Sequence, residues 1–350
     1  MVGAGSFGTA VALLLTRTGV RTTLLCRTAE QAEELDRTRE NKRYMEGVEL
    51  PRELKVRVFG ARQDQFARPD LVFLAVPSKG LGDALDELRR LGVSSRAGMV
   101  SLAKGLVSPE GTPPTLALEA AFGNQRVACV GGPAHAREMV EAGAGLVAAS
   151  RNEALAHRIA EVFQRAGVVC EVSDDPVGVE LAGVAKNAAA VAVGATLAQG
   201  LNAAGMAAAD IFSEVLVFAR ASGGSARSFL GRAGTGDLVA TALASSSRNR
   251  KAGELLAEGV PAERIPDEIG QAVEALETVR LLAHAIGREG LEAPVLSALA
   301  RLIEGTMPLE DWIGLVRASQ PPPARFRRSR RFWLRLRGLF TRRRLDSNSR

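Results

Sequence analysis

The alternation of hydrophobic and polar positions changes character near residue 175. Before this point, short apolar runs alternate with amphipathic segments; after it, only helical periodicity recurs. Strands that alternate with helices predict a parallel, doubly wound sheet, whereas helices alone predict an all-α domain. We therefore expect an α/β fold: a Rossmann-like domain over residues 1–175, a helical domain over 176–318, and a separate tail over 319–350.

The apolar runs of the first half predict seven strands. They cover residues 21–26, 54–58, 70–76, 98–102, 126–130, 144–150 and 168–172. Only Met1 and Val2 precede the first glycine-rich turn, so we expect the strand before that turn to be reduced to a stub. In such a sheet, ligands bind at the carboxyl ends of the strands.

The first turn, Gly3-Ala-Gly-Ser-Phe-Gly8, has the glycine spacing of a dinucleotide-binding turn. Gly3 permits the tight turn, Gly5 lets a pyrophosphate approach the backbone, and Gly8 lets the following helix pack closely on the sheet. Arg27 stands where an acidic residue would hold the ribose of NAD. Either it accommodates the 2′-phosphate of NADP, or it is a surface arginine that precedes a helix.

Residues 177–194 predict a helix of Ala, Val and Gly with a single lysine, Lys186, between Glu180 and Asp210. A lysine in such a run is costly unless it is paired or reached by water, and burial lowers its pKa toward neutrality. Lys186 is therefore a candidate acid/base, although a lysine that reaches solvent from a half-buried helix is the plainer alternative.

Further candidate ligand contacts follow predicted strands or lie in polar turns. Lys104 follows the strand at 98–102, and a Gly-Gly-Pro turn begins at Gly131. In the second half, Asp237 is placed to hold a substrate hydroxyl or to orient Lys186. Residues 245–251 combine serines, an asparagine, two arginines and a lysine, a composition typical of a phosphate site.

Composition restricts the protein class. The formal charge of +6 is concentrated in residues 320–350, which carry +10 and leave −4 for the rest of the chain. Three widely spaced cysteines predict buried thiols in a reducing compartment and no metal site. We expect no signal segment and no apolar run of membrane-spanning length in the sequence, and therefore a cytoplasmic location.

These residues carry a resemblance to the bacterial NAD(P)-dependent glycerol-3-phosphate dehydrogenases over residues 1 to about 318. Seven segments in family order carry it: GAGSFGTA from Gly3, SLAKGL from Ser101, GGPAHARE from Gly131, GVELAGVAKN from Gly178, GTGDLVAT from Gly234, SSRNRKAG from Ser246 and IGQAVE from Ile269. The resemblance implies reduction of dihydroxyacetone phosphate to sn-glycerol 3-phosphate for phospholipid synthesis, with NADP or NAD as cofactor, and a homodimer.

The resemblance also implies residue roles. Lys186 would be the general acid/base. The cofactor would contact Gly3, Gly5, Ser6, Phe7, Gly8, Arg27, Lys104, Ala136, Arg248 and Glu274. The substrate would contact Lys104, Gly132, Lys186, Asp237, Ser247, Arg248 and Asn249.

Three departures from the family pattern bear on activity. Ala134 replaces a hydrogen-bonding residue after the Gly-Pro turn, and Met206 and Glu214 replace the family's Asn and Arg in the segment after the central helix. These changes leave open a diverged, non-catalytic paralogue that binds cofactor. A hydroxy-acid or ketopantoate-type reductase shares the layout, but its substrates carry carboxylates without phosphate.

The tail combines arginine with aromatic and aliphatic residues. Residues 325–345 contain ten arginines among Phe, Trp and Leu. This composition suits contact with a membrane surface, and a disordered solubilising segment is the alternative of equal standing. Single-stranded nucleic acid would also accept such a segment but is the least favoured partner.

Overall fold

The computed structural model describes residues 1–61, 66, 68–244 and 247–319. Residues Met1–Arg317 form one compact unit, and the rest of the chain is a second unit that starts at Ala318. The predicted membrane-contact segment at 325–345 lies outside the described residues. Its role therefore stays a prediction.

All seven predicted strands are present, with ends that differ by at most two residues from the prediction. They are β1 Thr23–Cys26, β2 Lys55–Val58, β3 Leu71–Leu74, β4 Gly98–Ser101, β5 Val127–Gly131, β6 Gly145–Ser150 and β7 Val169–Ser173. Pairing is parallel between β1 and β2 and along β3, β4 and β5. The doubly wound α/β class is thus confirmed.

One junction departs from the predicted parallel order. β6 runs antiparallel to β5, and β7 then pairs parallel to β6. The helix between β5 and β6, Ala136–Glu141, has six residues and covers about 9 Å, whereas the five-residue strand covers about 17 Å. Because this helix is too short to return the chain to the opposite edge of the sheet, β6 runs back from the edge where β5 ends.

The predicted stub at the first strand is also observed. Val2 is bridged in parallel to Leu25 and to Leu74, and so joins the two parts of the sheet through a single residue. The terminal ammonium of Met1 donates to the Thr23 carbonyl at 2.9 Å. Burial lowers the pKa of this ammonium to about 5.

Seven helices accompany the strands, and only helices follow β7 among the described residues. The first group comprises α1 Ser6–Arg17, α2 Ala29–Thr38, α3 Lys42–Met45, α4 Leu81–Leu91, α5 Pro114–Phe122, α6 Ala136–Glu141 and α7 Glu153–Arg165. The second comprises α8 Pro176–Thr196, α9 Leu201–Ala221, α10 Ala226–Leu230, α11 Asp237–Leu243, α12 Arg248–Ala257, α13 Ile265–Ile269, α14 Glu274–Arg288, α15 Pro294–Ile303 and α16 Leu309–Ala318. The predicted change to purely helical structure is confirmed.

The central helix α8 organises the second half of the fold. Every residue of α8 is buried, and the Asp175 carboxylate accepts from the Gly178 amide at 2.8 Å as the N-terminal cap. Two segments, Pro176–Gln199 and Leu201–Ala221, do meet the length and composition of a membrane span, contrary to the sequence expectation. The first is 89% buried within the protein, as expected of a core helix that is apolar on every side.

Candidate functional site

The glycine-rich turn has the geometry of a phosphate cradle. Gly3 has φ +103°, and a Cβ there would lie 2.5 Å from the Ala75 carbonyl oxygen. A Cβ on Gly8 would lie 2.1 Å from the Gly3 carbonyl oxygen, whereas nothing lies within 4 Å of one built on Gly5. The turn is therefore closed where it packs on the sheet and open at Gly5, as approach of a pyrophosphate requires.

The start of α1 also favours phosphate binding. Gly5 caps α1 without a side-chain hydrogen bond, so no side chain of the cap competes for the first amides, which include those of Ser6 and Phe7. Free amides at a helix N-terminus bind anions. Arg27 is exposed immediately after β1, on the side expected to carry the ribose of a dinucleotide.

The structure brings three predicted polar residues together from distant parts of the chain. Lys104 follows β4, and its Nζ lies 2.9 Å from Asp237 Oδ2. Lys186 extends from the middle of α8, and its Nζ lies 3.3 Å from Asp237 Oδ1. One carboxylate at the start of α11 thus holds two ammonium groups. That Asp237 orients Lys186 or holds a substrate hydroxyl stays a prediction.

Lys186 does not reach solvent, so the plainer alternative from the sequence is wrong. Its side chain is 8% exposed, and its Nζ also donates to the Thr241 hydroxyl at 3.0 Å. Burial and the nearby charge of Lys104 lower the pKa of Lys186 to about 8, against the opposing effect of Asp237. The ammonium can therefore exchange a proton near neutral pH.

Asp237 stays ionised although it is buried. Burial raises the pKa of this carboxyl, but Lys104 and Lys186 together lower it by more than burial raises it, so the net shift is downward. The charge of the carboxylate is matched by two hydrogen-bonded cations, which is the condition under which a buried charge is tolerated.

A line of amides connects this group to the predicted phosphate segment. Asn187 donates through Nδ2 to the Lys104 carbonyl at 2.8 Å, and its Oδ1 accepts from Asn249 Nδ2 at 2.9 Å. Ser247 caps α12 by accepting from the Arg250 amide at 3.3 Å. Arg248 donates to the Ala272 carbonyl at 3.1 Å, which brings its guanidinium to the segment just before Glu274.

The remaining predicted residues lie around the same cleft to different degrees. The Gly132 carbonyl accepts from Lys104 Nζ at 3.2 Å, and a Cβ on Gly132 would lie 2.3 Å from the Gly145 carbonyl oxygen. The Phe7 ring lies 5.8 Å from Lys104 Nζ. Ala136 begins α6, and Glu274 begins α14 with an exposed side chain; no described contact joins either residue to Lys186.

Sequence reasoning missed three residues of this region: Asn187, Thr241 and Glu180. Thr241 lies one helical turn after Asp237, so helical spacing was an available signal for it. Asn187 directly follows Lys186, and adjacent helix positions face different directions, so spacing gave no signal for Asn187. Glu180 is buried and bonded to Ser101 and Thr115. Its partners are 65 and 79 residues away, so no local pattern could have identified them.

The two departures in α9 have different surroundings. Glu214 accepts from the Val295 and Leu296 amides at 2.9 and 2.8 Å, so its carboxylate satisfies two amides at the N-terminus of α15. Met206 is 41% exposed on α9. Glu214 therefore stabilises the packing of two helices, a role that a carboxylate performs well at a helix N-terminus.

The three cysteines are buried within the fold. Cys26, Cys129 and Cys170 are buried free thiols, as predicted, and burial raises the pKa of Cys26 to about 11. Within the described ranges, no group of three or more His, Cys, Asp or Glu side chains could hold a metal ion.

Comparison with known proteins identifies the relatives of this chain. Residues 1–156 match the model for the N-terminus of NAD-dependent glycerol-3-phosphate dehydrogenase, and residues 175–314 match the model for its C-terminus. A glycerol-3-phosphate dehydrogenase [NAD(P)+] from Deinococcus radiodurans is 36% identical over 313 residues, which cover 87% of this chain and 90% of that protein. The enzyme of the same name from Alcanivorax borkumensis is 33% identical, with 89% of this chain and 90% of that protein covered.

Solved structures share the fold of this chain. The crystal structure of glycerol-3-phosphate dehydrogenase from Coxiella burnetii superposes with a TM-score of 0.83 at 26% identity, covering 91% of this chain and 98% of that one. A ketopantoate reductase from Ralstonia eutropha shares the fold at a TM-score of 0.56 and 21% identity, with 87% of this chain and 99% of that one covered.

Proposed function

Because this chain belongs to the NAD-dependent glycerol-3-phosphate dehydrogenase family, we propose that it reduces dihydroxyacetone phosphate to sn-glycerol 3-phosphate, reversibly, with NADH or NADPH. The observation that carries the proposal is the Lys104–Asp237–Lys186 group, in which Asp237 and Lys186 are buried and Lys104 is partly exposed, and which combines a proton donor with fixed positive charge. A carbonyl reduction needs both, since negative charge develops on the oxygen as the hydride arrives.

The cofactor would supply the hydride when bound. Its pyrophosphate would lie on the open face of Gly5 and the first amides of α1, with Ser6 and Phe7 nearby. Arg27 would lie toward the adenosine ribose. Ala136, Arg248 and Glu274 complete the set of residues that we assign to the cofactor.

The phosphate of the substrate would lie at the start of α12. Arg248 and Asn249 supply a charged and a neutral donor there, Ser247 caps the same turn, and the helix amides add to the positive potential. Asn249 is linked through Asn187 to the backbone at Lys104. Binding the phosphate at a fixed distance from Lys186 would orient the carbonyl for reaction.

Lys186 would act as the general acid in reduction. Its ammonium, held by Asp237 and Thr241, would hydrogen bond to the C2 carbonyl and donate its proton as the alkoxide forms. In oxidation the neutral amine would accept the hydroxyl proton. Lys104 would stabilise the developing negative charge beside it.

The direct test is oxidation of NADH and, separately, NADPH by the purified protein with dihydroxyacetone phosphate. Wild type should turn over, and Lys186→Ala should lose activity by a factor of about 10² to 10⁴, the range for a general acid. Lys55→Ala, at an exposed position of β2, is the matched control.

Two substrate controls separate the candidate activities. Dihydroxyacetone lacks the phosphate, so equal turnover of dihydroxyacetone and dihydroxyacetone phosphate would contradict the assigned phosphate site. Ketopantoate tests the related reductase class. No turnover with any substrate, together with intact NADPH binding, would support a diverged paralogue.

The family also implies a homodimer in the cytoplasm that supplies glycerophospholipid synthesis. Met206 and Val217, two exposed apolar side chains that share one face of α9, support a self-association surface. Light scattering on the purified protein tests the dimer. Liposome flotation of the full chain, with anionic and neutral vesicles, tests membrane contact through residues 325–345.

A further inference from the structure

Glu180 is a buried carboxyl that takes no part in the proposed reaction. Its side chain lies on α8, and the residue is 4% exposed. Its Oε1 accepts from the Ser101 hydroxyl at 3.1 Å. Its Oε2 accepts from the Thr115 amide at 2.8 Å and from the Thr115 hydroxyl at 2.7 Å.

These hydrogen bonds join three elements at one point. Ser101 is the last residue of β4, and Thr115 lies in the first turn of α5, where a helix amide lacks an intrahelical partner. We call Glu180, Ser101 and Thr115 the Glu180 clamp. The clamp fixes α8 both to the end of the sheet and to the start of a helix that covers it.

A second contact between α8 and residues 101–104 lies further along α8. Asn187 donates to the Lys104 carbonyl. Glu180 and Asn187 are seven residues apart, so they lie on one face of α8 about 10.5 Å apart. Ser101 and Lys104 are three residues apart, which is about 10 Å in extended chain. The two spans match, so residues 101–104 are held against α8 at both ends.

The held segment carries one of the two lysines, and α8 carries the other. Lys104 and Lys186 meet at Asp237, with distances of 2.9 and 3.3 Å. Any slip of residues 101–104 along α8 would change where Lys104 lies relative to Lys186. The Leu102 amide also donates to the Leu74 carbonyl at 3.0 Å, so the sheet holds the middle of the segment while Glu180 and Asn187 hold its two ends against α8.

We propose that Glu180 is a positioning residue that, through Ser101 and Thr115, sets the separation of Lys104 from Lys186 in the active site. This inference rests on the proposed function of those two lysines. Glu180 itself touches neither lysine in any described contact. Its effect on the reaction is transmitted through the register of residues 101–104 against α8.

The test uses four variants of the full-length protein. Glu180→Leu removes the clamp and leaves the Thr115 amide and the hydroxyls of Ser101 and Thr115 without this acceptor, so a folded state is first verified by circular dichroism. Glu180→Gln restores the clamp, because the amide oxygen accepts from Thr115 and the amide nitrogen donates to the Ser101 hydroxyl. Ser101→Ala removes one hydrogen bond and is the milder change.

Ser150→Ala is the matched control. Ser150 also ends a strand and is 1% exposed, as Ser101 is, and its hydroxyl donates to the Val127 carbonyl at 2.6 Å. Each serine also accepts from the amide two residues onward. The losses of stability in Ser101→Ala and Ser150→Ala should therefore be similar, and only Ser101→Ala should change the kinetics of the reaction.

Two readouts distinguish positioning from stability. The value of kcat for dihydroxyacetone phosphate should fall about 10²-fold in Glu180→Leu, with the KM for NADPH unchanged and with Glu180→Gln close to wild type. The pKa of Lys186, followed by NMR of ¹³Cε-labelled lysine, should rise above about 8 in Glu180→Leu, because the charge of Lys104 that helps to lower it is displaced. The chain contains six lysines, so the spectrum is simple.

Kinetics and a Lys186 titration that are unchanged in folded Glu180→Leu and Ser101→Ala would overturn the proposal. An enzyme that does not reduce dihydroxyacetone phosphate at all would contradict the proposed function instead. The NMR titration would still decide whether the clamp positions the two lysines, because it needs no turnover.

Discussion

At the scale of single residues, Asp237 decides the chemistry available to this protein. One carboxylate accepts from both Lys104 and Lys186, and the Thr241 hydroxyl lies 3.4 Å from its Oδ1. Two ammonium groups so close would repel without it. Its charge opposes the effects of burial and of Lys104 on Lys186, whose pKa is about 8, and two ammonium groups against one carboxylate leave a net positive charge that attracts an anionic substrate.

The lowered pKa of Lys186 predicts opposite pH dependences for the two directions of reaction. Reduction needs the ammonium, so kcat/KM for dihydroxyacetone phosphate should fall as pH rises through about 8. Oxidation needs the neutral amine, so kcat/KM for glycerol 3-phosphate should rise through the same pH. Initial rates from pH 6 to 10 check this, since kcat/KM reports groups of the free enzyme. Profiles that move in the same direction would contradict the role of Lys186.

Loss of the charge of Asp237 should move that profile. In Asp237→Asn the pKa of Lys186 should fall below about 8, because the carboxylate is what raises it against burial and the charge of Lys104. We expect the reduction limb to shift to lower pH and kcat/KM at pH 7.5 to fall about 10²-fold as both lysines lose their anchor. Thr241→Ser, which keeps the hydroxyl, should leave the profile unshifted.

At the scale of elements, α8 and α12 cross at two glycines. A Cβ on Gly194 would lie 2.0 Å from the Arg250 carbonyl oxygen, and one on Gly253 would lie 2.0 Å from the Val191 carbonyl oxygen. Contacts this short with backbone cannot be relieved by a side-chain rotation. The close approach keeps Asn249, on α12, within hydrogen-bond distance of Asn187, on α8.

Gly194→Ala should therefore separate α8 from α12. We expect a loss of about 1 to 3 kcal/mol in the free energy of unfolding, as for overpacked cores, and a raised KM for dihydroxyacetone phosphate as Asn249 withdraws. Urea denaturation and steady-state kinetics measure both.

Gly205→Ala is the control for this crossing. Gly205 is exposed within α9 and nothing lies within 4 Å of an added Cβ, so alanine there should stabilise by about 0.5 to 1 kcal/mol. Equal effects of the two substitutions would show that helix propensity, and not the crossing, is measured.

At the scale of the whole molecule, the Glu180 clamp couples stability to pH. Burial raises the pKa of Glu180 to about 7, partly offset by its hydrogen bonds from Thr115 and Ser101, and the charge of Glu119 adds to the rise. The folded state thus binds this proton more tightly than the unfolded state. The contribution of Glu180 to stability is present below about pH 4.5 and is lost as pH rises through about 7.

Glu180→Gln should remove this dependence. Relative to wild type, the variant should gain stability from pH 5 to pH 8, on the order of 3 kcal/mol in the free energy of unfolding. Its melting temperature relative to wild type should rise over the same range. Thermal denaturation at both pH values, with Ser150→Ala measured beside it, checks the sign. A difference between Glu180→Gln and wild type that is constant with pH would contradict the raised pKa.

Much of this architecture could be predicted from local sequence, since strands, helices and turns depend on short-range periodicity and on glycine and proline positions. The seven strands, the stub at Val2, the glycine turn and the apolar α8 with its one lysine are all readable in this way. Charge and turn patterns already indicated Lys104, Lys186 and Asp237 as candidates, and the family resemblance, which rests on segments in order along the chain, supplied their roles and the remaining site residues.

Only the tertiary structure decided which of those residues meet. Lys104 and Asp237 are 133 residues apart, and their contact depends on how the end of β4 packs against α8 and α11. The antiparallel direction of β6, the clamp at Glu180 and the contact of Glu214 with α15 arise in the same way. Each depends on long-range packing, which satisfies buried polar groups with partners that no local pattern specifies.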